Sequence, residues 1–158
     1  MYDLMIIGSG PAGISAALTA KARNLNFIWF GSRALSTKIE KAEKIMNYPG
    51  LPAVTGSEMQ SVFLKQIDDC GITITESQVN SIYDCGGYFA AGADNEIYEA
   101  KAVIMTVGMT TTREIEGEAR LLGCGVSYCA TCDGALYKNK DIAVICASPK
   151  FELSLIHI

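Results

Sequence analysis

Two short runs in this chain have residue types and spacings suited to chemistry. Cys129-Ala130-Thr131-Cys132 brings two thiols close together in sequence. Thiols at this spacing can close a small disulfide, and the pairing lowers a thiol pKa, so that one of them is readily a thiolate. Asp133 follows directly. A carboxylate there can move the proton that thiol chemistry needs; a plain turn residue before Gly134 is the equal alternative. The other run is Gly8-Ser9-Gly10-Pro11-Ala12-Gly13. It follows an apolar strand pattern and opens a helix pattern, the context that a dinucleotide fingerprint requires. Its glycines permit a tight turn, close approach of backbone to a pyrophosphate, and tight helix packing. The helix N-terminus then offers free N–H groups and the positive end of a dipole to the phosphates. A tight strand-to-helix turn that binds nothing is the bland alternative.

One feature of that fingerprint is missing. An acidic residue about twenty positions on usually holds the ribose. Here the second strand ends in Gly31-Ser32-Arg33. Arg33 reads as a solvated loop arginine rather than a partner for a 2′-phosphate. The remaining cysteines permit competing readings. Zinc sites need two such cysteine pairs, or one pair with histidines. The sequence has no second C-x-x-C, and its one histidine is His157, so no metal site is expected. Cys124, Cys129 and Cys132 do have C-x₄-C-x₂-C spacing, with Cys146 as a fourth thiol, which keeps an iron–sulfur electron carrier open. Cys70 and Cys85 read as buried small residues.

The elements that must position these groups can be read from periodicity. Tyr2–Ile7 is a short buried strand, Ile14–Arg23 an alanine-rich helix with Pro11 tolerated in its first turn, and Asn26–Phe30 a second strand. Together they form a βαβ unit. Residues 31–56 are long for a connection, and Ile39, Ala42, Ile45 and Met46 have helical spacing within them. Ser57-Glu58-Met59-Gln60 matches a capping box. The helix that follows should bury Met59, Val62, Phe63, Ile67 and Cys70. Ile72 to Glu99 reads as a small antiparallel meander broken at Cys85-Gly86-Gly87 and Asp94-Asn95. Ala102–Val107 reads as a buried parallel strand ending at Gly108. Residues 110–123 read as a linker, Gly134–Tyr137 as a short helix, and Ile142–Ile145 as the first strand of a second domain.

Composition narrows the function. Lys and Arg number 13 against 17 Asp and Glu, a net charge of −4, so there is no electrostatic footprint for nucleic acid. Apolar residues make up 49% and charged residues 19%, which is globular rather than disordered. Met5 to Ala20 is too short for a membrane span and holds Gly8, Gly10, Pro11 and Gly13. The start of the chain has no basic n-region, so the expected location is the cytoplasm. There, six cysteines argue for catalysis, metal or burial and not for a disulfide scaffold.

These residues converge on a family. The chain resembles the N-terminal half of bacterial-type, low-molecular-weight thioredoxin reductases from about Tyr2 to Ile145. The likeness rests on the glycine fingerprint, on Asn47-Tyr48-Pro49-Gly50, on Thr106-Val107-Gly108, and above all on Gly125-Val126-Ser127-Tyr128-Cys129-Ala130-Thr131-Cys132-Asp133-Gly134. It implies an α/β, Rossmann-like domain over residues 1–109, with FAD at Gly8, Ser9, Gly10, Pro11, Ala12, Gly13, Asn47 and Gly108. It implies a redox disulfide between Cys129 and Cys132 on a second, nucleotide-binding-like domain begun by residues 124–152. Cys132 would face the flavin, Cys129 would attack thioredoxin, and Asp133 would donate the proton. Full-length members are homodimers.

Two further departures from the family stand out. Ser36-Thr37-Lys38-Ile39 replaces a Gly-Gly-Gln segment near the flavin. The strand Ile142–Ile145, which should enter a second glycine fingerprint for NADPH, runs into Cys146-Ala147-Ser148-Pro149-Lys150-Phe151. Without glycine, and with Pro149, phosphate cradling there is disfavoured. In this the chain resembles clostridial-type flavin thioredoxin reductases that take electrons from ferredoxin. The family's FAD domain is split in sequence, so the chain is expected to be a fragment. Leu153-Ser154-Leu155-Ile156-His157-Ile158 matches a transposon end read in frame and is expected to be non-native. Such a fragment should leave sheet edges unpaired and hold FAD poorly. A flavin-free nicotinamide dehydrogenase, using only the first fingerprint, is the remaining alternative.

Overall fold

A computed structural model describes residues 1–108, 115–122, 124–127 and 134–145. β1 (Tyr2–Ile7), α1 (Pro11–Ala22) and β2 (Phe27–Phe30) form the βαβ unit. β1 and β2 are parallel, with Leu4 opposite Phe27 and Ile7 opposite Phe30. Alternation along β1 supplies two cores, as a strand covered on both faces requires. Leu4 and Ile6 pack with Ile14, Ala17 and Ala20 of α1 and with Trp29. Met5 and Ile7 pack on the other face with Ile28, Phe30, Ala91, Ala93 and Ala100.

The connection after β2 contains only one turn of helix, α2 (Thr37–Glu40). The helical spacing of Ile39, Ala42, Ile45 and Met46 does not extend it. Ile45 instead pairs as an isolated bridge with Val54, and Met46 is exposed. α3 (Gly56–Asp69) then buries Met59, Phe63 and Ile67, each worth about 1.5–3 kcal/mol of apolar burial. Val62 and Cys70 are exposed, so the apolar stripe is narrower than its spacing suggests.

The capping box lies two residues earlier than the Ser57–Gln60 pattern. Thr55 Oγ1 accepts from Glu58 N at 3.2 Å, and Thr55 N donates to Glu58 Oε2 at 2.8 Å. Gln60 has a different role: it is buried, and its Nε2 donates to Ser36 O at 2.6 Å. That bond ties α3 to the cap of α2.

Three antiparallel strands complete the sheet: β3 (Val79–Asp84), β4 (Phe89–Ala93) and β5 (Glu96–Met105). The order is β2-β1-β5-β4-β3. The meander and the later apolar run share one strand. β5 pairs antiparallel with β4 over Glu96–Ala100 and parallel with β1 over Ala100–Met105. Past Ala100, no described strand lies on its other edge, and Ile104, Met105 and Val107 are exposed. The apolar run is therefore a parallel strand, as its composition suggests, but not a buried one.

α4 (Glu118–Leu121) and a 3-10 turn at Gly134–Tyr137 follow. Ile142–Ile145 forms no strand, and Ile142, Val144 and Ile145 are exposed. A strand needs a neighbour to satisfy its backbone, and no described segment pairs with this one. No helix among the described residues is long and apolar enough to cross a membrane.

The α3 cap generates a stability prediction. Thr55→Ala is expected to cost about 1 kcal/mol, read as a lower urea midpoint. The backbone N–H of Thr55, and then its hydroxyl, hold the Glu58 carboxyl below its ordinary value. A carboxyl with a lowered folded pKa stabilises above its unfolded value and loses that contribution as pH falls through the folded one. The gap in midpoint between the native chain and Glu58→Gln should therefore be full at neutral pH, start to shrink once pH falls below the ordinary glutamate value, and be lost as pH passes down through the lowered folded one.

Candidate functional site

The glycine turn is held by contacts distant in sequence. Gly8 N donates to Phe30 O at 2.8 Å, and Gly8 O accepts from Trp29 Nε1 at 2.9 Å. The Thr106 hydroxyl lies 2.9 Å from Ile7 O and 3.0 Å from Gly8 O, and Thr106 N donates to Ile7 O at 2.7 Å. The end of β5 thus closes directly on the turn.

Two glycines are architectural. Gly8 has φ +112°, and a Cβ there would collide with Thr106 O. A Cβ on Gly13 would collide with Gly8 O and lie 2.8 Å from Thr106 Oγ1. Gly10 is different, because a Cβ there meets no atom within 4 Å. It faces open space at the N-cap of α1.

Among the described residues, no side chain caps that helix end. Gly10 offers no side-chain cap, Pro11 begins the helix, and no acid stands in the first turn. The first helical hydrogen bond runs from Ile14 N to Gly10 O at 3.0 Å. The amides of Ala12 and Gly13 precede it, so they are orphan donors of the kind that anions accept. The open face at Gly10 and these donors form a cradle that fits the pyrophosphate of a dinucleotide.

Ser9 joins the turn to the end of β2. It is buried, its Oγ accepts from Ser32 N at 3.0 Å, and the hydroxyl donates to Leu35 O at 3.0 Å. Arg33 is not a free cation: its Nη2 sits 3.0 Å from both Asp68 carboxylate oxygens. Sequence spacing gave no signal for this pair, nor for Trp29 donating to Gly8 O.

The other expected cofactor residues lie at the same end of the sheet or packed beside α1. Gly108 follows β5 with φ +68°. Asn47 is exposed in the loop closed by the Ile45–Val54 bridge. Tyr48, next to it, packs edge-to-face on Phe63 at 5.4 Å. Ile14, Leu18, Tyr48, Pro49, Leu51 and Phe63 line a groove of about 290 Å³ between this loop, α1 and α3.

Cys129, Cys132 and Asp133 lie outside the described residues, as does Cys146. Cys124 Sγ is 3.7 Å from Glu43 Oε1. Cys70 and Cys85 are exposed, contrary to the reading of them as buried. Cys70 caps the end of α3, and Cys85 N donates to Tyr88 O at 2.9 Å in the β3–β4 turn. Both stand at element ends, which lie at the surface. A hydrogen bond with Cys85 is the main reason the Tyr88 pKa lies above its ordinary value.

The family of pyridine nucleotide-disulphide oxidoreductases matches residues 2–149. The chain belongs to that family. Thioredoxin reductase from Bacillus subtilis (strain 168) is 32% identical over 92% of this chain and 46% of its own length. A ferredoxin-flavin thioredoxin reductase from Clostridium acetobutylicum is 48% identical, covering 86% of this chain and 47% of that one, with a TM-score of 0.69. Thioredoxin reductase from Streptococcus pyogenes is 35% identical over 87% of this chain and 45% of that one, with a TM-score of 0.74. The chain therefore spans about half the length of the relatives it matches. The sheet and glycine turn are those of the family's N-terminal Rossmann-like domain.

The glycines should separate experimentally. Gly13→Ala is expected to cost about 1–3 kcal/mol, because its Cβ overpacks backbone. Gly10→Ala should stay within about 0.5 kcal/mol, since lost N-cap preference and gained chain stiffness offset each other. Paired urea denaturation curves check this.

Proposed function

We propose that the chain forms the N-terminal part of a flavin-dependent disulfide reductase that reduces thioredoxin and takes its electrons from a ferredoxin-type donor. The observation that carries the reading is the cradle at Gly8, Gly10 and Gly13, shaped for a pyrophosphate, in a chain whose sequence also holds Cys129-Ala130-Thr131-Cys132-Asp133. FAD would lie with its pyrophosphate on the α1 N-terminus, and when bound it supplies a two-electron relay. Asn47 and Gly108 are the further residues assigned to holding it.

The work of the chain's own groups follows from thiol chemistry. Two electrons cleave the Cys129–Cys132 disulfide at Cys132, and Cys129 leaves as a thiol or thiolate. Cys129, as thiolate, attacks one sulfur of the thioredoxin disulfide and forms a mixed disulfide. Asp133 gives its proton to the thiolate that thioredoxin releases. Cys132 then attacks Cys129, which restores the internal disulfide and frees the second thioredoxin thiol. The intact protein would act as a cytoplasmic homodimer.

The assignment of the donor rests on Cys146-Ala147-Ser148-Pro149, which lacks the glycine turn of a nicotinamide site. A ferredoxin-type donor is energetically adequate. Plant-type ferredoxins lie near −400 mV and thioredoxin near −270 mV. Two electrons then fall by about 130 mV, roughly 6 kcal/mol.

Anaerobic bleaching of the flavin in the intact protein tests the donor. Reduced ferredoxin should bleach it and NADPH should not. Rapid bleaching by micromolar NADPH, with no response to ferredoxin, would overturn the assignment.

A further inference from the structure

The fingerprint reserves the end of β2 for an acid that holds a ribose, and this chain has none there. Gly31 occupies the place, and a Cβ on it would stand 2.5 Å from the Ser9 Cβ. With the buried Ser9 against it, no acidic side chain fits at that position.

A carboxylate nevertheless arrives from elsewhere. The segment after α3 runs alongside the end of β2. Gly31 N donates to Thr75 O at 3.1 Å, Thr75 N donates to Trp29 O at 2.8 Å, and Phe30 and Thr75 form a parallel bridge. This register sets Glu76 against the turn that follows. Glu76 Oε1 accepts from Arg33 N at 2.8 Å and lies 3.5 Å from Ser32 Oγ. Ser32 N in turn donates to Ser9 Oγ, inside the glycine turn. The carboxylate is thereby fixed at the carboxyl ends of the parallel strands, where ligands of such sheets sit. The Arg33 guanidinium does not neutralise it, since it pairs with Asp68 on α3.

We infer that Glu76 replaces the missing acid of β2 and binds the adenosine ribose hydroxyls of the dinucleotide, an inference that rests on the flavin reading above. An ionised carboxylate accepts only, and two neighbouring hydroxyls can both donate to it. Oε1 is oriented by Arg33 N, and Oε2 has no hydrogen-bond partner among the described residues. Glu76 is exposed, as a ligand-facing group must be.

The test compares ADP with 2′,3′-dideoxy-ADP, binding to the intact apoprotein by isothermal titration. The native protein should bind ADP about tenfold more tightly, the size of one charged hydrogen bond. Glu76→Ala should bring that ratio close to one, and Glu76→Gln should reduce it partway, with FAD affinity falling in parallel. If Glu76→Ala does not fold, Glu76→Gln, which keeps an acceptor for Arg33 N, decides alone. A native ratio near one, or a ratio that survives substitution, overturns the inference and leaves Glu76 as a clamp on the turn. If the native protein binds neither ADP nor FAD, the flavin reading falls and this inference falls with it.

Discussion

The structure depends on how closely the end of β5 approaches the glycine turn. Thr106 reaches Ile7 O and Gly8 O, and Gly8 and Gly13 leave no room for a Cβ. A sheet, a turn and a helix therefore meet at backbone contact, which only glycine permits. Trp29 donates to the same Gly8 carbonyl from β2. Three strands thus converge on one peptide, next to the α1 N-terminus, which no side chain caps among the described residues. The cradle is a consequence of this packing rather than a feature added to a loop.

The two faces of the sheet divide the roles. One face carries α1 and α3 and is well filled by Ile14, Met59, Phe63 and Ile67. The other is covered by the antiparallel strands, with Tyr98 edge-to-face on Phe30 at 5.0 Å. Past Ala100 that cover ends, and the last residues of β5 are exposed on an edge without a described neighbour. An exposed apolar edge is costly for a soluble protein.

Much of the fold was legible because local signals agreed with the packing. Strand, glycine turn, alanine-rich helix and second strand all follow from residues 1–30, with ends within about three residues, the largest gap being the helix start at Pro11 rather than Ile14. The errors have physical causes. The Ser57–Gln60 pattern is a valid box on paper, but Gln60 is buried at Ser36 O and the cap falls to Thr55. The helical spacing after Ile39 yielded to the Ile45–Val54 bridge. The Ala102–Val107 run looked buried because composition reports what a strand can bury, not what covers it. Of the site, the turn was legible and its supports were not. Thr106 lies about a hundred residues from Gly8 in sequence, and no spacing rule links Glu76 to the end of β2.

The most direct measurement is the cofactor content of the intact protein as purified, read by visible absorption and by chromatography of what denaturation releases. A flavin-dependent reductase should be yellow and release one FAD per chain. A brown protein whose colour depends on iron and sulfide, or a colourless one that takes up no FAD, would contradict it.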